Sequence, residues 1–476
     1  MPFDETNIGN PFAGEFPEWP TERRVRLEAD IQRQVIELAQ RRYEPALRHE
    51  MARALQQRRQ DYKRRKPRGR DPIVVDFDFL PVKRGFDTLM ARGELLITKE
   101  SYEGGPRGRG RTDPSRCAKG YLDTLGIGKK NEKVDCPDCP ELNGRVVQLN
   151  GAGLGPGDLA NVAELLRMRG FTASVTNIAP TAPVGKAIGG ADPVPGLGKF
   201  KPYDGPGTPT KVAIIDTGIA EEKRRDRWLN DIDRDGNIDP LYEFSPDGKR
   251  YLDLDAGHGT FIAGIIKQVA PGAKIKVYRA LDSDGVGTEV GVACAMIRAV
   301  KEDAEILNLS LGCQTLDDQP PIAIKAALEV ISELEHRYGR EVLVVAAAGN
   351  FGDTRPCWPA AFREVVSVAG LAPDMLPSQW STHGFWVTCS TIGQGLRSTY
   401  VEGRQSIEFD PTPHTFGPDA WAAWNGTSFA APQITGALAR LHQEKKLPLR
   451  EALQKVLAVG RPIPDFGQAL KILPGI

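Results

Sequence analysis

The sequence predicts an α/β fold for most of this chain: a doubly wound, mostly parallel sheet, preceded by a small α+β unit and a basic helical region. Three observations carry that prediction. The runs 211–216, 274–278, 306–310, 342–345 and 365–368 are apolar enough for strands covered on both faces. Helical stretches at 290–301 and 322–336 fall between them, and strand-helix alternation argues for a parallel sheet. At 40% hydrophobic and 26% charged residues, the composition is that of an ordinary globular protein with a full core.

Taken in order, residues 1–20 are rich in Pro, Phe and Gly and read as an extended arm. Leu27, Ile31, Val35 and Leu38 then recur at helical spacing, with arginines around them. Pro45 is expected to break this helix, and a second is expected over 46–62. Net charge is zero over the 476 residues, yet residues 21–70 hold 16 Lys/Arg against 7 Asp/Glu. Such a surplus, ending in the run 63–70, points to an acidic partner or nucleic acid, or else to a solvated linker. No aromatic interleaving or groove-binding motif accompanies it.

Residues 73–79 alternate like a strand, 86–91 read as a short helix, and 95–98 as a second strand. A third strand at 145–149, a helix at 158–168 ended by Gly170, and a fourth strand at 171–176 follow. Strand-helix-strand twice over is the pattern of a ferredoxin-like split βαβ unit. Residues 180–210 are too rich in Pro and Gly to hold regular structure for long. The expected organisation is a basic helical region at 1–71, an α+β module at 72–180, a linker at 181–210, the α/β domain at 211–460 and a tail at 461–476.

The chemistry gathers in four places. Asn425-Gly426-Thr427-Ser428 puts a hydroxyl at the head of an apolar helical run through Ile434, Ala437, Leu438 and Leu441. Pro432 is expected in the first turn of that helix, where no backbone N–H is owed to an earlier carbonyl. A serine there sits at the positive end of the helix dipole, which suits a nucleophile that builds up negative charge. The strand 211–216 ends on Asp216, in Asp-Thr-Gly. His258 lies between two glycines at the start of another apolar helix, unlike the other five histidines. The strand at 342 ends in Gly349-Asn350.

With these motifs in the order Asp, His, Ser, the chain resembles the subtilisin-like serine proteases (subtilases) over roughly residues 205–460. The resemblance implies a serine endopeptidase acting on polypeptides. Ser428 would be the nucleophile, His258 its base, Asp216 the group that orients the imidazole, and Asn350 an oxyanion donor. It also implies that Ser310, Leu311 and Gly312 form the edge to which a substrate peptide adds as a strand. Ala346, Ala347, Ala348 and Gly349 would form a wall of the pocket for the residue before the scissile bond, with Cys357 near its floor. The α+β unit would correspond to the chaperone and inhibitor pro-domain that subtilases often carry. The alternative is a catalytically passive protease fold that serves as a scaffold through its basic helices.

Asp231, Asp233, Asp235 and Asp239 stand at positions one, three, five and nine of a calcium loop with Gly236 at six. Tyr242 rather than Glu occupies position twelve, so a polar turn is the competing reading. Cys117, Cys136 and Cys139 supply three thiolates, one short of a structural zinc set. The chain has no run of about 18 apolar residues and no signal-like start. With seven cysteines, an odd count, the expected location is cytoplasmic.

Overall fold

The computed structural model describes residues 21–43, 45–65, 73–80, 88–104, 106–107, 111–112, 117–128, 139–151, 153–180, 196–245, 250–408 and 413–475. Two helices come first, α1 (Thr21–Tyr43) and α2 (Pro45–Arg65). Pro45 does not merely end α1; it opens α2, where its fixed φ and missing N–H cost nothing. Leu27, Ile31 and Leu38 of the α1 stripe are buried, together with Gln34.

The α+β unit contains β1 (Phe77–Leu80), β2 (Thr88–Thr98), β3 (Val146–Asn150), α3 (Pro156–Met168) and β4 (Ala173–Asn177). Among these strands every pairing is antiparallel, and all of them run through β2. Met90 faces Asp78 on one side and Asn177 on the other, and Leu95 likewise faces Leu149 and Val175. So β1 and β3 follow one another along one edge of β2, and β4 lies along the other. This corrects the ferredoxin-like expectation. Of the helix expected over 86–91, residues 86 and 87 lie outside the described residues, and Thr88 to Ala91 begin a strand of 11 residues paired directly with β1. A four-residue apolar run fits either period, and the partner strand decides.

The large sheet is built from β5 (Lys211–Asp216), β6 (Lys274–Arg279), β7 (Ile306–Leu309), β8 (Leu343–Ala347), β9 (Val365–Leu371), β10 (Cys389–Ile392), β11 (Arg461–Ile463) and β12 (Gly467–Leu470). Its order is β11-β12-β10-β9-β8-β7-β5-β6, with only the β11–β12 pair antiparallel. Side chains alternate across it: Val212 and Ile214 join one buried cluster, Ala213 and Ile215 the other. The first face is covered by α4 (His258–Val269) and α7 (Thr427–Lys445), the second by α5 (Glu289–Lys301) and α6 (Ile322–Tyr338). The strand order reverses at β5, with β6 on one side and β7 on the other. Open parallel sheets gather their ligands at such a point, beyond the carboxyl ends of the strands. Among the described residues no helix is long and apolar enough to cross a membrane.

Helices α4 and α7 approach closely at Gly436, where a Cβ would lie 2.7 Å from Val269 Cβ. Alanine favours a helix over glycine by about 1 kcal/mol, but overpacking of about 1–3 kcal/mol opposes it here. Gly436→Ala is therefore expected to lower the melting temperature by a few degrees in calorimetry. A raised or unchanged midpoint contradicts this packing.

Candidate active site

Asp216 is the last residue of β5 and is fully buried. Its Oδ1 accepts from the Thr217 backbone N–H at 2.8 Å and from His258 Nδ1 at 2.7 Å. A carboxylate oxygen can only accept here, which keeps a proton on Nδ1; in the neutral ring Nε2 then carries the lone pair. His258 is the first residue of α4 and is also fully buried. Its two glycine neighbours have separate reasons. Gly257 holds φ at +79° in the cap position, and a Cβ on Gly259 would lie 2.1 Å from the Gly218 carbonyl oxygen. The helix that carries the imidazole is thus pressed onto the turn that carries the carboxylate.

Asp239 braces both turns. Its Oδ2 accepts from Thr217 Oγ1 and Gly257 N, each at 2.8 Å, and its Oδ1 from Leu241 N at 3.1 Å. Burial pushes its pKa up to about 6 in spite of these donors. This role differs from the calcium position the sequence suggested. Asp231 turns away to Lys267 Nζ at 2.7 Å, and Asp233 caps the Asp235 N–H at 3.0 Å. Asp231, Asp233 and Asp239 thus each hold a different partner, and among the described residues no three His, Cys, Asp or Glu form a metal set. Cys136 of the zinc candidate lies outside the described residues. Cys294 is disulfide-bonded, so the odd cysteine count does not mean thiols throughout.

Ser428 stands in the first turn of α7 and is 2% exposed. Its hydroxyl donates to the Ser310 carbonyl at 3.1 Å, and Ser310 Oγ donates back to the Ser428 carbonyl at 2.7 Å. His258 Nε2 has no hydrogen-bond partner among the described residues. The aspartate-histidine link is therefore formed, and the serine-histidine link is not. Pro432 lies inside α7 rather than in its first turn. It cannot donate to the carbonyl four residues back, that of Ser428; the Ser310 hydroxyl fills the vacated place.

Asn350 follows β8. Its Oδ1 accepts from Thr427 N and Thr427 Oγ1, both at 3.0 Å, and Gly349 N donates to the same hydroxyl at 3.0 Å. With Oδ1 so held, the amide nitrogen faces the Gly426-Thr427 turn, where a Gly426 Cβ would come within 3.4 Å of it. Nothing in the sequence marked Thr427 or Asp239 as fixing these groups.

The remaining candidates are all buried, and a segment from the N-terminal half meets them at Gly312. Ala346 and Ala347 end β8, and Ala348 is buried beside them. Cys357 lies beneath Gly312 and Gly349, its Sγ 2.7 and 2.8 Å from where their Cβ atoms would be. Burial pushes its thiol pKa up. Leu311 points into the core of the sheet's second face. Gly312 N donates to the Pro180 carbonyl at 2.9 Å, and Ala179 N to the Gly287 carbonyl at 2.8 Å. Ile178 forms an antiparallel bridge with Thr288. Residues 178–180 thus run as an added strand between the two walls. One residue earlier, Asn177 donates from its backbone and side chain to buried Glu289 at 2.8 and 2.7 Å. On the other side of Ser428, Asn425 Nδ2 donates to Gln34 Oε1 of α1 at 2.6 Å, and Leu38 packs on Trp380.

The model of the subtilase family matches residues 207–458, slightly more than half of the chain. The chain is 29% identical over 257 residues to the thermophilic serine proteinase of Bacillus sp. (strain AK1), a match covering 52% of this chain and 55% of that protein. It is 30% identical over 240 residues to thermitase of Thermoactinomyces vulgaris (48% and 74%), and 28% identical over 247 residues to subtilisin BL of Lederbergia lenta (50% and 78%). The match thus spans just over half the length of the first of these relatives. By the extent of the family match and the residues it encloses, this chain belongs to the subtilase family.

Proposed function

We propose that the protein is a serine endopeptidase acting through Asp216, His258 and Ser428 with Asn350 as oxyanion donor, and that its N-terminal segments hold it closed in the intact chain. The observation that carries the reading is the buried Asp216–His258 contact at 2.7 Å, with the ring of Phe429, the residue after Ser428, 5.4 Å from the imidazole. In this mechanism the Ser428 hydroxyl leaves the Ser310 carbonyl and turns to Nε2. His258 takes its proton as Oγ attacks the peptide carbonyl, and Asp216 stabilises the imidazolium that forms. The Asn350 amide and the backbone N–H groups at the positive end of α7 meet the negative oxygen. His258 then returns the proton to the leaving amine, and a water molecule repeats the sequence on the acyl-enzyme.

The filled groove supports the regulatory half. A peptide enters such a site as an extra strand, and residues 178–180 already occupy that place. With α1 laid on Asn425, His258 and Ser428 are shut away from water. Activation then requires both segments to move, and the chain that follows Pro180 is the natural place for self-cleavage.

A fluorophosphonate probe is expected to label the wild-type protein after incubation and to spare Ser428→Ala; no labelling of either contradicts the enzyme. Mass spectrometry is expected to find the wild type cut between about 180 and 210 and Ser428→Ala intact. Identical masses contradict self-cleavage. Asn350→Ala should lower kcat by roughly a hundredfold or more with KM little changed. Thr427→Val removes the hydroxyl that holds Asn350 and leaves the Gly349 N–H unsatisfied. It should lower kcat by about tenfold and cost about 1–3 kcal/mol in stability by denaturant titration. Unchanged turnover in either variant removes that residue from the site.

A further inference from the structure

A buried ionic cluster next to the groove takes no part in this chemistry. Asp253, Asp282 and Asp284 are each at most 3% exposed and belong to the turns that lead into His258 and into the groove wall at Gly287. Their shape is set by the protease half itself. Asp253 Oδ2 accepts from Phe244 N at 3.1 Å and Ser283 Oγ at 2.6 Å, Asp282 Oδ1 from Val286 N at 3.0 Å, and Asp284 Oδ1 from Leu254 N at 3.0 Å. Their outward oxygens receive two arginines of α2. Arg58 donates to Asp253 Oδ1 at 2.6 Å and to Asp284 Oδ2 at 3.2 Å, and Arg59 donates to Asp282 Oδ2 at 2.6 Å. Both guanidiniums are buried, and Arg59 lies 5.0 Å from the Phe244 ring centre and 5.2 Å from that of Phe77. Arg59 Nε, wholly enclosed, has no hydrogen-bond partner among the described residues. The pocket therefore presents three buried carboxylates and an aromatic face, with the more exposed Glu408 as a fourth carboxylate 2.9 Å from Arg58, and its occupant is a pair of adjacent arginines.

We propose that this pocket is a recognition site for arginine side chains of polypeptides, and that Arg58 and Arg59 fill it in the intact chain as an internal stand-in. Buried carboxylates that lose their cations become costly, so a pocket emptied by the departure of α2 attracts another cation. Planar guanidinium suits it better than ammonium, since it can fork between two carboxylates while lying on an aromatic ring. Its place favours a bound polypeptide over a mere anchor for α2. Val286 and Leu254, which border the carboxylates, share one apolar cluster with Ile178 in the groove and Leu55 of α2. A peptide lying where residues 178–180 lie therefore passes the mouth of the pocket. The inference rests on the endopeptidase reading.

The test uses the full chain carrying Ser428→Ala, with acetyl-Arg-Arg-amide and acetyl-Gln-Gln-amide as probes. With Arg58→Gln and Arg59→Gln added, calorimetry is expected to find saturable binding of the diarginine peptide. That binding should be roughly tenfold or more tighter than for the diglutamine peptide, and it should be lost on adding Asp284→Asn. Equal or absent binding of the two peptides by the folded variant overturns the proposal. If that variant does not fold, the chain that keeps both arginines decides. There the diarginine peptide should speed hydrogen exchange in α2 and the diglutamine peptide should not; equal exchange overturns the proposal. Neither arm needs turnover, so a failure here is separate from a failure of fluorophosphonate labelling.

Discussion

The hydrogen bond between Asp216 and His258 is the constraint around which the protease half is arranged. It joins residues 42 apart in sequence and lies wholly out of water. Such a bond survives only if both partners are placed by something stiffer than themselves. Asp216 is placed by a strand paired on both sides, His258 by a helix end that touches the turn after that strand through Gly259. Asp239 then ties the two turns together through Thr217 and Gly257. The serine lies on α7 and the asparagine on the turn after β8, and the hydroxyl of Thr427, the residue before Ser428, bonds to Asn350.

The N-terminal segments act on this frame from three directions. Residues 178–180 bond to Gly287 and Gly312, α1 lies on the turn before Ser428, and α2 places two arginines among buried carboxylates. Arg58 and Arg59 are met by carboxylates of the chain itself. The contacts differ in kind: strand pairing, amide-to-amide bonding with apolar packing, and buried ion pairs. Their sensitivities to salt and to competing peptide differ accordingly.

Much of the site was legible because its chemistry sits in short local motifs. Asp-Thr-Gly after an apolar strand, Gly-His-Gly before an apolar helix and Asn-Gly-Thr-Ser before another each predict a position on the sheet without tertiary information. What could not be read depends on partners distant in sequence. Thr88 to Ala91 fit a helix as well as a strand until β1 lies beside them. Asp239 looked like a calcium ligand because its spacing matched, whereas its bonds to Thr217 and Gly257 appear only once two turns meet. Arg58 and Arg59 fall in the helix expected over 46–62, and the carboxylates that bury them lie 195 to 226 residues away.

The central claim is that Asp216 holds the proton on His258 Nδ1 in a site closed to water. Proton NMR of the full chain carrying Ser428→Ala, with its histidines labelled with nitrogen-15, tests this most directly. The account predicts a strongly deshielded, slowly exchanging ring proton assigned to His258, absent when Asp216→Asn is added while the rest of the spectrum is retained. A low-field region without that resonance, or one indifferent to Asp216→Asn, contradicts it.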